Sequence, residues 1–242
     1  MASLFQAWTL LNGTLKPQKQ GSCGLYSFWY ATLLLSGLDS TRRPIVYPRN
    51  GEGVAAGVGE NPESLRHFAK ATVGSAQGEI LTCAEMERIV LHYGYDRVSH
   101  IGDAGRATFI TTSLASERPV LIPYMMGPGG PIAVFPGGAR PGVDYGPHWS
   151  LIFAESAIDY YLLEPNSPNT PMEVPKGRML RSNAFTDNFK YQQFYDKALP
   201  NPTLPYHRGS GISASPAGTT AAKYDLGSPL RQTLANVLIA VM

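Results

Sequence analysis

A thiol, an imidazole and a carboxylate or amide occur along this chain in an order that suits acyl transfer. Cys23 lies in 17-PQKQGSCGLYSFWYATLLLSG-37, where a Gly-Ser turn runs into an apolar segment. At the first turn of a helix, unsatisfied N–H groups and the helix dipole stabilise a thiolate. Cys83, by contrast, opens an ordinary amphipathic segment without an evident partner and reads as a structural cysteine. A cysteine nucleophile needs a base. His67 and His92 fall on predicted helices away from the apolar stripes, and His100 and His207 fall in predicted loops. His148 differs, because it opens a predicted strand after a glycine-rich loop in 146-GPHWSLIF-153.

A thiolate–imidazolium pair usually has a third group that holds the ring. The next predicted strand, 160-YYLLEPN-166, ends in Glu164, Pro165 and Asn166. If the two strands pair antiparallel, the end of the second returns beside the start of the first. Glu164 and Asn166 are then both candidates for the orienting group. A tetrahedral intermediate also needs hydrogen-bond donors. The Cys23 backbone N–H is one, and Gln18 or Gln20 can supply the other from just upstream.

These residues require particular elements around them. The segment from Gly24 to Ser36 is apolar on nearly every side, the mark of a helix buried in a larger core. Ser22 is placed to cap it and Gly37 to end it. Residues 4–13 end in Asn-Gly and predict a first strand and turn. Asn61-Pro62 starts a second helix, and 82-TCAE-85 is a capping box for a third, which Gly94 stops. A weaker helix is expected over about 107–116. Three further strands are expected: 119–126, then 148–156 and 157–165 joined by a turn near Glu155–Ala157. Helices precede strands, so the class is α+β. The expected catalytic domain spans residues 1–200, with a helical part over about 14–117 and a sheet part over about 118–198. Residues 201–242 are Pro/Gly/Ser-rich at first and form either an appended arm or a segment that wraps back through 230–241. The Gly/Pro-rich loop 127–147 leads into His148 and is placed to border the substrate cleft as a flap. Gly24, Tyr145 and Trp149 are expected in that cleft; Trp149 either covers the bond between histidine and orienter or is plain core.

Bulk properties narrow the function further. A formal net charge of +2, with no block of five like charges, argues against a nucleic-acid binder. Two cysteines make no disulfide framework. The N-terminus lacks a basic n-region and cleavage site, and 237-VLIAVM-242 is too short to span a bilayer. The expectation is a soluble protein that works in a reducing setting such as the cytoplasm, without a membrane partner. No Cys/His pair has ligand spacing, so neither metal nor cofactor is implied.

The order of glutamine, cysteine at a helix start, histidine at a strand start and acid or amide at a strand end resembles the papain-like cysteine peptidases. His148 follows Cys23 by 125 residues and Asn166 follows it by 143. Cys-Gly-Leu at the helix start and the acid-Pro pair after the histidine strand are similar to the C39-like branch. The motifs 23-CGLYSFW-29, 119-PVLIPY-124 and 148-HW-149 together resemble the actin maturation protease family, which trims the N-terminus of actin. The resemblance covers about residues 15–170. It implies a papain-like fold and a thiol peptidase acting on a protein or peptide, as actin-processing enzymes and bacterial effectors of this scaffold do. The likeness to effectors would also allow delivery into a reducing host-cell compartment. The glutamines stand five and three residues before Cys23, where many relatives use six. The expected activity is amide hydrolysis through an acyl-enzyme. The alternatives are glutamine deamidation or transamidation on the same triad, and a catalytically inert binding module.

Overall fold

The structure is a computed structural model, and it describes residues 3–18, 22–42, 65, 68–69, 80, 82–134, 146–186 and 234–242. In chain order the elements are α1 (Leu4–Leu11), α2 (Cys23–Leu38), α3 (Cys83–His92), β1 (Arg97–Ile101), α4 (Arg106–Ala115), β2 (Val120–Gly127), β3 (Gly130–Pro131), β4 (Gly146–Glu155), β5 (Asp159–Leu163), β6 (Met172–Pro175), α5 (Lys176–Ala184) and β7 (Val237–Val241). The class is α+β with one antiparallel sheet, ordered β1-β7-β2-β4-β5-β6, with β3 beside β2.

The sheet is covered on both faces. Strand alternation sends Leu121, Trp149, Leu151, Leu163, Val237 and Ile239 towards α1, α2 and α3. Val120, Ile122, Tyr124, Ile152, Leu162, Leu238 and Ala240 join the second core with Ile110 of α4 and Met179 of α5. β2 and β7 are therefore buried on both sides, which explains their continuous apolar sequences.

The helix over α3 starts where the capping box places it. The Thr82 side chain accepts from Glu85 N–H, and the Glu85 carboxylate accepts from Thr82 N–H. Gly94 follows with φ +76°, a left-handed stop. Residues 4–13 depart from the expected strand. Ser3 and Gln6 form a capping box of their own, so Leu4–Leu11 is a helix that buries Leu4, Ala7 and Trp8. Gly37 does not end α2 either; the helix runs on to Leu38. A Cβ at Gly37 would lie 3.1 Å from the Ala7 Cβ, so this glycine serves the close approach of α1 to α2. Leu65, Phe68 and Ala69 are helical, whereas Asn61-Pro62 lies outside the described residues. β1 was not expected, and it places His100 in a strand rather than a loop, with its ring 5.4 Å from that of Phe109. β6 and α5 also extend the fold beyond the expected elements.

The C-terminal residues supply an inner strand. β7 pairs antiparallel with both β1 and β2, so of the expected returning segment 230–241 the described part, Val237–Val241, packs into the sheet. β1 likewise draws part of the expected helical half into the sheet. Where β7 stops, α5 continues its bonding role along β2. Ser182 Oγ donates to Met125 O and accepts from Met125 N–H, while Asn183 Nδ2 donates to Pro123 O. Buried backbone groups need such partners. Pro123 has no N–H to satisfy there, which suits it to this position.

Candidate active site

Cys23 is the first residue of α2 and is partly exposed, while the residues that follow, Gly24 to Phe28, are buried. Ser22 takes the N-cap position, but its side chain makes no capping bond. The start of α2 is instead fastened to β4. Trp149 N–H donates to Cys23 Sγ at 3.4 Å, and Ser27 Oγ donates to Trp149 O at 3.1 Å. β5 ends at Leu163 opposite Leu151, two residues short of Trp149, and the helix takes up both backbone groups of Trp149 beyond that end. Cys23 and Ser27 are one turn apart on one helix face, the spacing this grip requires.

His148 lies on β4 directly opposite Tyr124 of β2, on the face of the sheet away from the Trp149 indole. It is buried, and its Nε2 is 2.5 Å from Glu164 Oε1. Glu164 is also buried and collects further donors: Asn166 N–H on Oε2 at 3.0 Å and Asn166 Nδ2 on Oε1 at 2.9 Å. A carboxylate that accepts on both oxygens requires His148 to donate through Nε2, leaving Nδ1 for the cysteine. Burial pulls the His148 pKa down, but the Cys23 charge, the hydrogen bond to Cys23 and the Glu164 carboxylate together outweigh it and raise the pKa to about 10. The Tyr124 ring stands edge-on to the imidazole, 5.5 Å away at 81°. Burial, then the Glu164 charge, push the Tyr124 hydroxyl well above its ordinary value, so it remains a neutral wall.

Gln18 reaches the same cluster from the segment before α2. Its Nε2 donates to Asn166 Oδ1 at 2.8 Å, and its backbone N–H donates to Pro165 O at 2.6 Å. One amide hydrogen of Gln18 is thus used by Asn166, and a second is left. The chain of contacts runs Gln18, Asn166, Glu164, His148, Cys23. It assigns the imidazole contact to Glu164 and makes Asn166 the residue that braces Glu164. Gln20 and Tyr145 lie outside the described residues, as do His67, His207 and the part of the loop over 135–145. His92 is exposed and stacks on Phe68 at 3.7 Å, as expected of a helix-surface histidine.

Two expected cleft residues are in the core instead. Gly24 is buried, and a Cβ there would lie 3.1–3.2 Å from Ile80 and Met86 side-chain atoms. Its small size serves that packing, not a ligand. The Trp149 indole packs on the helical side of the sheet and donates to Ile80 O at 2.9 Å. It does not share the face of the His148–Glu164 bond; Tyr124 is the aromatic beside that imidazole. No side-chain chemistry marks Tyr124 in the sequence; its cross-strand pairing with residue 148 is the signal that finds it. Cys83 is buried, and burial first, then the Glu87 charge, push its thiol up to about 11. Among the described residues, no group of three or more His, Cys, Asp or Glu side chains is placed to hold a metal ion, and no helix is long and apolar enough to cross a membrane. No family model matches this chain, and no curated protein matches it in sequence.

Proposed function

We propose that this protein is a papain-like cysteine hydrolase that opens an amide bond in a protein or peptide substrate. The observation that carries the reading is the buried His148, held by Glu164 through Nε2, on the strand whose next residue, Trp149, donates its N–H to Cys23 Sγ. A histidine with a raised pKa stays protonated beside Cys23 and can hand its proton to a leaving group. In the reaction, the Cys23 sulfur attacks the carbonyl carbon, and the carbonyl electron pair moves onto oxygen. The Cys23 N–H and the second Gln18 amide hydrogen stabilise that oxyanion. Collapse of the intermediate breaks the C–N bond, and His148 gives its proton to the leaving amine. Water then attacks the thioester, His148 accepts a proton from it, and the thiolate departs with the acid released. Glu164 keeps the imidazole in the tautomer and orientation that both halves need.

A free, partly exposed nucleophilic cysteine is open to oxidation, so the enzyme belongs in a reducing compartment. The sequence resemblance suggests proteins as substrates, in the manner of actin-processing enzymes or effector-type proteases. The test is incubation of the protein and its Cys23→Ala variant with a cell lysate, followed by profiling of new N-termini. Cleavages that depend on Cys23 are expected. Glutamine deamidation without fragments would place the same triad in the deamidase class. Iodoacetamide labelling of the intact protein bears on the chemistry without a substrate: Cys23 reacts well before Cys83, whose thiol is buried and raised. Equal labelling of the two would rule out an activated nucleophile.

A further inference from the structure

Asn169 has no part in the acyl-transfer steps, yet it makes three hydrogen bonds to the segment that carries Gln18. Its Oδ1 accepts from Gly13 N–H at 2.9 Å and Leu15 N–H at 3.2 Å, and its Nδ2 donates to Leu15 O at 2.9 Å. Four and three residues earlier, Pro165 O and Asn166 Oδ1 take the backbone and side-chain N–H groups of Gln18. The two segments therefore run antiparallel, with Leu15 against Asn169 and Gln18 against Asn166. α2 holds the middle, since Tyr30 Oη donates to Lys16 O at 2.6 Å. Residues 15–18 lie in neither helix nor strand, so a sheet ladder does not fix them. Their position comes from side chains on the Glu164 loop and on the Cys23 helix.

Resting on the hydrolase reading above, we infer that Asn169 is a positioning residue for the oxyanion donor and acts through Gln18. It holds residues 13–15 in register with the Glu164 loop, so that the Gln18 amide meets Asn166 with its second hydrogen on the substrate side. A displacement of about 1 Å in such a donor costs on the order of 100-fold in rate. The dipeptides Pro165-Asn166 and Pro168-Asn169 thus have separate duties: the first braces the carboxylate and the second sets the arm.

Two reagents separate this role from the thiolate itself. p-Nitrophenyl acetate acylates Cys23 through a tetrahedral oxyanion and releases p-nitrophenolate, whereas iodoacetamide alkylates the same sulfur by displacing iodide, without an oxyanion. Asn169→Ala is expected to slow the acylation burst about tenfold, a part of the loss that removal of one oxyanion donor causes. Its alkylation rate stays within about twofold of the wild type, because the Glu164–His148–Cys23 contacts are untouched. Gln18→Ala shows the same signature, and the double variant is no slower than Gln18→Ala alone. Asn169→Asp keeps the acceptor for both N–H groups and recovers most of the acylation rate. Should Asn169→Ala fail to fold by circular dichroism, Asn169→Asp carries the test with a smaller fall confined to acylation. A parallel fall in both reactions, no change in acylation, or additive losses in the double variant would overturn the inference. Burst acylation that persists in Cys23→Ala would instead strike the hydrolase reading itself.

Discussion

The identity of the group on the imidazole is settled by a small difference between two neighbouring side chains. Tyr160, Leu162 and Glu164 alternate on one side of β5, and that alternation carries Glu164 inwards to 5% exposure. Pro165 then turns the chain, and Asn166 ends on the surface with its amide directed back at Glu164. The sequence leaves both candidates open because Glu-Pro-Asn is good turn chemistry whichever residue faces the histidine. Cys23 and His148 were readable because each stands at the start of a strongly patterned element. The charge on Glu164 has a measurable consequence. It helps to raise the His148 pKa to about 10, so the imidazolium is present at neutral pH and is lost as pH rises through that value. The corresponding imidazole in the unfolded chain loses its proton near 6.5. The pair therefore favours the folded state fully below the unfolded value, and this contribution fades towards pH 10. Glu164→Gln retains a hydrogen-bond acceptor but removes the charge, so the His148 pKa falls by about one unit or more. An NMR titration of the His148 ring in the two proteins measures it. An unchanged midpoint would mean that the carboxylate charge has no part in holding the proton.

At the scale of elements, the site depends on how the start of α2 seats against β4. Ser27 is fully buried, and its hydroxyl is the partner of the Trp149 carbonyl beyond the end of β5. Ser27→Ala leaves that carbonyl unsatisfied, at a cost of about 1–3 kcal/mol. For a chain of this size that lowers the melting temperature by roughly 2–4 °C per kcal/mol. Iodoacetamide labelling of Cys23 should also slow, because the residue that fixes Trp149 N–H against the sulfur is one helical turn away. A lowered melting temperature without a change in labelling rate would assign Ser27 to packing alone. Gly24 gives the contrasting case. An added methyl would sit 3.1–3.2 Å from Ile80 and Met86 atoms. Gly→Ala in a helix gains about 1 kcal/mol of propensity, while overpacking costs about 1–3 kcal/mol, so Ala is near neutral or mildly destabilising. Gly24→Val adds two more methyl-sized groups with no propensity gain to match, and thermal melts should show a loss of at least about 2 kcal/mol. These tight contacts were not legible in advance. A glycine after a cysteine looks the same in sequence whether ligand or core approaches it. α1, in contrast, is legible: Ser3 and Gln6 carry the capping-box spacing, and the Asn12-Gly13 pair that suggests a hairpin marks the end of a helix.

Across the whole molecule, the first and last segments of the chain both converge on the sheet that carries His148. α1 packs on α2 and β4, with the rings of Phe5 and Trp8 against Phe153. β7 sits between β1 and β2 and contributes residues to both cores. Its five residues are all buried, so they form an apolar run without the alternation that distinguishes a strand. That is why the sequence pattern left the tail as either arm or returning segment, and why β1, half exposed and paired only with β7 among the described strands, was not foreseen at all. An inner strand also has consequences that an arm lacks. Removing residues 236–242 takes away the partner of β1 and of the start of β2, exposing backbone donors and acceptors along β2 and the apolar side chains of both cores. Each buried polar group left unpaired costs about 1–3 kcal/mol, and domains of this size hold only about 5–15 kcal/mol in reserve. The truncated chain should therefore fail to fold: circular dichroism loses its cooperative melt, and size-exclusion chromatography shows aggregate in place of a sharp peak. His148 would lose its seat with it, since β2 supplies the Tyr124 wall and the pairing that fixes β4. A truncated protein that still melts cooperatively and still labels first at Cys23 would show that the β2–β4–β5 ladder holds the site without its inner neighbour.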